Sequence, residues 1–309
     1  DKPMSRLVEG DVGSGKTFVA ATIAYAVIKN RPIGQNFGNL QVAYMAPTEV
    51  LATQLFENFT EYFEHTGISI ALITSSGCRK FPSKSASWEN GTQIKTWTNI
   101  AKNQLLKWIK NGEIPIVIGT HSLISNSVEF EDLGLVIIDE QHRFGTNQRM
   151  KLAKKEGHSP HYLSMTATPI PRTLQFSLMA ARDLSVITTP PPNRYPIETN
   201  VVGFNEELIR DAISYEIQRN GQVFFINNRI ENIKEIAGMI QRLVPNARVG
   251  IGHGQMDGAK LEELMLAFMN GEFDVLVATT IIESGLDVPN ANTIFINNAN
   301  NFGLSDLHQ

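Results

Sequence analysis

The sequence predicts an α/β chain whose parallel sheets are divided between two domains. Three observations carry that prediction. Short apolar runs alternate with helical periodicities from one end to the other, the pattern of stacked βαβ units. The 309 residues amount to about two domains at roughly 150 residues each. One stretch, Thr188-Thr-Pro-Pro-Pro-Asn-Arg-Tyr-Pro196, can continue neither a helix nor a central strand, because proline lacks an amide donor and fixes φ. It separates residues 1–187 from residues 197–309, with 188–196 as the linker.

Strands of the first domain are expected at Arg6–Glu9, Gln41–Ala46, Ile68–Ile73, Ile116–Gly119, Leu135–Asp139 and Tyr162–Met165. A second set is expected at Gln222–Ile226, Arg248–Ile251, Asp274–Ala278 and Thr293–Asn297. Residues Phe18–Lys29 carry a helical pattern directly after the first strand. In the second half Leu261, Leu264, Met265 and Phe268 recur at i, i+3, i+4 and i+7, and Ile230, Ile233, Ala237, Ile240 and Val244 keep a 3-4-3-4 spacing. Such stripes are core-facing helix surfaces. Ser75–Asn99, rich in Ser, Lys, Thr and Asn, reads as a surface insertion or a solvated loop anchored by Trp88 and Trp97. No short internal repeat is apparent.

With 42% hydrophobic residues and a formal charge of −4, disordered and low-complexity classes are excluded. A lone Cys78 can form neither an intrachain disulfide nor a cysteine-rich zinc module, which fits a reducing, cytoplasmic setting. Apolar runs such as Leu135–Ile138 and Val275–Ala278 fall far short of the roughly 18 residues a membrane span needs. The mild acidity argues against a polybasic coat but leaves room for a local phosphate-binding groove. The opening Asp-Lys-Pro, without Met or a signal region, reads as an excised piece.

Gly10-Asp11-Val12-Gly13-Ser14-Gly15-Lys16-Thr17 fits G-x-x-x-x-G-K-[ST] between a strand and a helix. Glycines let backbone amides converge on phosphates and the helix N-terminus adds positive potential. Lys16 reaches the β and γ oxygens, and the Thr17 hydroxyl can ligate Mg²⁺. Leu135-Val-Ile-Ile-Asp139-Glu140 ends an apolar strand in two acids, at the edge where α/β sheets bind ligands. Asp139 can hold the Mg²⁺ shell while Glu140 orients and deprotonates water. Paired acids after a strand also serve as helix caps. His158 and His161 form H-x-x-H without carboxylate or cysteine partners, so no separate metal site is expected there.

Asp139-Glu-Gln-His142 with Arg143-Phe-Gly145, and Thr166-Ala-Thr-Pro-Ile-Pro-Arg-Thr-Leu174, resemble the motor core of superfamily 2 helicases, specifically the RecG/Mfd group of double-stranded-DNA translocases. Ala46-Pro-Thr-Glu-Val-Leu-Ala-Thr-Gln54, Gly119-Thr-His121, Gly252-His-Gly-Gln-Met256, Thr279-Thr-Ile-Ile-Glu-Ser-Gly-Leu-Asp287 and Phe302–Gln309 extend the resemblance along the whole chain. Residues 1–174 look most like RecG and residues 175–309 most like the transcription-repair coupling factor, so the chain reads as a mosaic or as a divergent member.

The resemblance implies two RecA-like domains of the P-loop NTPase fold, with ATP and Mg²⁺ between them and hydrolysis driving movement on double-stranded or branched DNA. It places catalytic roles on Lys16, Asp139, Glu140 and His142, the last alternatively a buried structural imidazole. Nucleotide sensing falls on Gly285 and Asp287, and coupling on Thr166 and Thr168. Strand phosphates would be met by Thr48, Thr53, Thr120, His121, Asn227, Arg229, His253 and Thr279, which position a backbone without reading bases. The chain stops before the expected Arg-Gly-Arg-Val-Gly-Arg stretch. The second domain is therefore expected to be incomplete and hydrolysis weak, since an arginine finger is worth about 10³ to 10⁵ in rate. A monomer is expected, with RNA polymerase engaged only through domains outside this chain. An RNA helicase, or a fragment that binds DNA or a partner without turnover, remain the alternatives.

Overall fold

The computed structural model describes residues 3–32, 34–35, 38–83, 87–89, 92–140, 159–167, 183–189, 197–279, 288–303 and 307. The chain forms two compact units, residues 1–194 and 195–309.

In the first unit a nine-stranded sheet runs β11-β1-β10-β9-β2-β8-β3-β4-β7. Its strands are β1 (Ser5–Gly10), β2 (Gln41–Met45), β3 (Ile70–Ile73), β4 (Cys78–Phe81), β7 (Thr98–Asn99), β8 (Ile116–Gly119), β9 (Leu133–Ile138), β10 (His161–Thr166) and β11 (Asp183–Ile187). From β11 to β3 every neighbour is parallel. The fully buried runs of β2, β8 and β9 are what a parallel sheet covered on both faces requires. On one face α1 (Lys16–Ile28) and α2 (Glu49–Tyr62) pack over Val42, Tyr44, Leu135 and Ile137. On the other, α3 (Lys102–Lys110) sets Leu105 and Ile109 against Ala43, Met45, Val136 and Ile138. The alternation along β2 and β9 thus sorts one sequence into two cores.

Five strands lie where the sequence pattern gave none. The polar Ser75–Asn99 stretch contains β4, antiparallel to β3, and β7, antiparallel to β4, which continue the sheet, and the short pair β5 (Ser87–Glu89) and β6 (Thr92–Lys95). Only the end residues of β4, Cys78 and Phe81, are buried, with Arg79 and Lys80 between them, so its composition reads as loop. Trp97 does anchor the segment: it packs against Phe56, with the Arg79 guanidinium 4.2 Å from its ring centroid. The fifth added strand, β11, lies at the sheet edge with no fully buried residue, so it lacks the apolar run of its neighbours.

The second unit has a four-stranded parallel sheet, β13-β14-β12-β15, formed by β12 (Gln222–Asn227), β13 (Val249–Gly252), β14 (Val275–Ala278) and β15 (Ala291–Asn297). Helices α4 (Glu206–Gln218), capped by the Asn205 side chain, and α5 (Ile233–Leu243) bury Ile209, Ile213, Ile233, Ala237 and Ile240 against Val223, Phe225, Val275 and Val277. Helix α6 (Gly258–Met269) places Phe268 against Phe224 with ring centroids 4.9 Å apart. Residues 190–196 of the expected linker lie outside the described residues.

A short repeat does exist, and it spans the two units. Asn111-Gly-Glu-Ile-Pro-Ile-Val-Ile-Gly-Thr120 and Asn270-Gly-Glu-Phe-Asp-Val-Leu-Val-Ala-Thr279 each end a helix and enter a strand. Gly112 and Gly271 take φ of 70° and 76°, the left-handed turn that suits glycine. Glu113 N donates to Trp108 O and Glu272 N to Ala267 O, both at 2.9 Å. Each turn is then held by a glutamine opening the neighbouring strand. Gln41 Nε2 donates to Ile109 O and Ile114 O, and Gln222 Nε2 to Phe268 O and Phe273 O.

Candidate functional site

The glycine-rich loop follows β1 and opens α1, with Gly13 at φ 76° and Gly15 at φ 90°. A Cβ on Gly10 would lie 2.6 Å from Ser14 Oγ, so a side chain there would displace the Ser14 hydroxyl. Lys16 Nζ donates to Gly10 O at 2.6 Å and Asp11 O at 2.9 Å, holding the ammonium over its own loop. Burial lowers its pKa against the opposing pull of Asp139, Glu140 and Asp11. Thr17 is the second residue of α1 and is part-exposed.

In the sheet, β10 lies between β1 and β9, so the ends of these three strands bring their residues to one rim. Asp139 follows β9, its amide donating to Met45 O of β2 at 2.9 Å. Burial, then the Glu140 charge, pushes its carboxyl up to about 6, with Lys16 pulling the other way. Glu140 is buried and takes φ 46°, a conformation that costs a non-glycine residue about 1 kcal/mol or more and that clusters at functional sites. Neighbours hold it there. Thr166 Oγ1 donates to Glu140 Oε2 at 3.3 Å and Ala167 N to Oε1 at 3.1 Å. The oxygen donors of Thr17 and Asp139 fit a hard divalent cation.

Thr48 caps α2, its side chain accepting from Leu51 N at 3.4 Å, and Thr53 lies one turn further on. Thr120 is buried and donates to Ser122 Oγ, while His121 beside it is exposed. A Cβ on Gly119 would meet Ile73 O at 2.5 Å, so glycine lets this rim loop approach β3. The loops are also tied together: Glu49 accepts from Ser75 N, Ser75 Oγ and Ser76 N, and Ser122 Oγ donates to Ile73 O at 3.1 Å.

In the second unit Asn227, His253 and Thr279 stand at the same carboxyl edge of their sheet. Asn227 is buried and fully engaged. Its Nδ2 donates to Arg229 O and Asn232 Oδ1, and its Oδ1 accepts from Asn297 Nδ2. It fixes the loop that presents exposed Arg229. His253 Nδ1 is buried without a partner. His142, Thr168, Gly285 and Asp287 lie outside the described residues. Sequence reasoning overlooked Tyr44, whose buried phenol faces Asp139; an unusually polar aromatic amid the apolar run of β2 was the available signal. Among the described residues no group of three or more His, Cys, Asp or Glu could hold a metal. His161 Nδ1 accepts from Met4 N at 2.8 Å.

The DEAD/DEAH box helicase family model matches residues 2–176, and the helicase conserved C-terminal domain matches residues 205–309. The chain belongs to the DEAD/DEAH box helicases. As a member of this family it uses ATP, and its core is of the RecG/Mfd type, with tandem RecA-like domains. It is 44% identical over 309 residues to the transcription-repair-coupling factor of Bacillus subtilis and 42% identical to that of Staphylococcus aureus, covering 24% of each relative. The first of these matches spans all of this chain, both sides of Leu174. Among solved structures, RecG bound to a three-way DNA junction aligns with a TM-score of 0.76 and 34% identity, covering 100% of this chain and 37% of that one. Saccharomyces cerevisiae Dbp5 bound to RNA shares the fold, with a TM-score of 0.59, 16% identity, and 95% and 70% of the two chains covered. The helicase chain thus spans about a quarter of the length of the curated relatives it matches. No helix among its described residues is long and apolar enough to cross a membrane.

Proposed function

We propose that this helicase chain is the ATP-dependent motor of a translocase acting on double-stranded or branched DNA in repair or recombination. One observation supports it most: a single rim joins the phosphate-binding loop to Asp139 and to a strained Glu140 that Thr166 and Ala167 hold in place. The loop amides from Gly10 to Gly15 take the phosphates, and Lys16 leaves its carbonyl partners for the β and γ oxygens. Thr17 and Asp139 would hold Mg²⁺, which when bound would supply positive charge against the phosphates. Glu140 orients the attacking water, and Thr166 passes its position to the neighbouring strand.

Relatives named for transcription-repair coupling, and a 34%-identical structure bound to a DNA junction, favour DNA over RNA as the track. Thr48, Thr53, Thr120, His121, Arg229, His253 and Thr279 contact strand phosphates, and Asn227 positions Arg229 for them. Such contacts make binding salt-dependent and sequence-tolerant. His142, Thr168, Gly285 and Asp287 complete the hydrolysis, coupling and sensing groups. The test compares ATPase stimulation by duplex DNA, forked DNA and single-stranded RNA. Stimulation by both DNAs is expected; stimulation by RNA alone overturns the reading.

A further inference from the structure

Tyr44 is fully buried near the carboxyl end of β2, and its hydroxyl makes no well-aligned hydrogen bond, the Asp139 carboxyl being the polar group it faces. Leaving a hydroxyl unpaired in a core costs stability that phenylalanine would avoid. The ring itself is well packed, edge-on to Phe59 with centroids 5.4 Å apart.

Strand register shows where the hydroxyl is aimed. Tyr44 stands opposite Ile137 of β9, and the alternation of side chains puts Asp139, two residues on, over the same sheet face. Such diagonal neighbours lie within reach of an aromatic side chain. The backbone of β2 already holds Asp139 through the Met45 carbonyl, and one Asp139 oxygen, Oδ1, accepts from Glu140 N at 3.0 Å.

We propose that Tyr44 is a positioning residue whose hydroxyl donates to the Asp139 carboxylate from the core side and fixes the rotamer that presents the carboxylate to Mg²⁺. This rests on the reading of Asp139 as part of the Mg²⁺ shell. The hydroxyl would steady the carboxylate as it meets the ion, and partners of this kind are commonly worth 10- to 100-fold in metal affinity.

The experiment uses Tyr44→Phe, which keeps the ring. Binding of a fluorescent ATP analogue is titrated against Mg²⁺ and repeated in EDTA, and melting is followed without metal or nucleotide. The Mg²⁺ midpoint should rise about tenfold, with EDTA binding unchanged and melting unchanged or higher. An unmoved Mg²⁺ midpoint, an equal loss in EDTA, or a lowered melting temperature overturns the proposal, the last by revealing a packing role. Asp139→Asn separates the two readings. If it leaves the Mg²⁺ dependence intact, the assignment of Asp139 itself fails. If it abolishes that dependence while Tyr44→Phe changes nothing, only the role of Tyr44 fails. In the Asp139→Asn background, Tyr44→Phe should have no further effect.

Discussion

The two units share a lower rim and differ at the upper one. Below, the repeated Asn-Gly-Glu turn and its glutamine recur with the same bonds in each unit. Above, the first unit crowds Lys16, Asp139 and Glu140 around a glycine loop, whereas the second gathers Asn227, Asn232 and Asn297 into a neutral amide cluster. The entry to a strand belongs to the scaffold, and the exit carries the chemistry. A charged rim suits a metal and a triphosphate, and on the proposed reading the amide cluster holds the loop that offers Arg229 to strand phosphates.

The largest effect expected from this division is on hydrolysis. Glu140→Gln should lower DNA-stimulated ATP turnover by about 10² to 10⁴ while nucleotide binding, read by fluorescence titration, persists. Loss of both together would show that Glu140 shapes the loop instead. Lys16→Ala should weaken ATP binding by about 100-fold and leave the melting of the second unit unchanged; equal affinity in both proteins would contradict the role of the charged rim.

The lower rim is tested by stability. Gln41 also accepts from Glu131 N and Asp132 N through Oε1, whereas Gln222 Oε1 is buried without a partner. Gln41→Ala should therefore cost about 2–3 kcal/mol and Gln222→Ala about 1–2 kcal/mol in denaturant unfolding. Equal costs would mean that the second pair of bonds adds nothing.

The smallest effect concerns Asp274, within the second repeat. Burial pushes its pKa up, but bonds from the Arg248 side chain and amide outweigh that and hold it below the usual value. A lowered carboxylate pKa stabilises the fold above the ordinary Asp value near 4, and the contribution is lost as pH falls through the folded value. Arg248 is mostly exposed, so screening limits the contribution to less than about 1 kcal/mol. Asp274→Asn should lower melting of the second unit at pH 7 and converge with the parent at low pH; a pH-independent difference would remove the charge from the explanation.

Much of this was legible in the residues. Apolar runs located the central strands because parallel strands covered on both faces must be continuously hydrophobic, and the glycine pattern located the loop because few other chains can curl there. The edge strands β7 and β11 were not legible, since they lack a continuous buried run, and neither was β4, where Arg79 and Lys80 lie between the buried Cys78 and Phe81. Tyr44 looked like core, and its hydroxyl acquires meaning only from the register with β9. The repeat was overlooked because helical and strand periods were sought separately, and it straddles a junction between them.

The cross-ties among the loops after β2, β3 and β8, made by Glu49 and Ser122, have a mechanical consequence. A load applied to any one loop is shared by all three and reaches the sheet as through a single stiff tooth. If these loops take strand phosphates as proposed, little of a power stroke would be lost to elastic give.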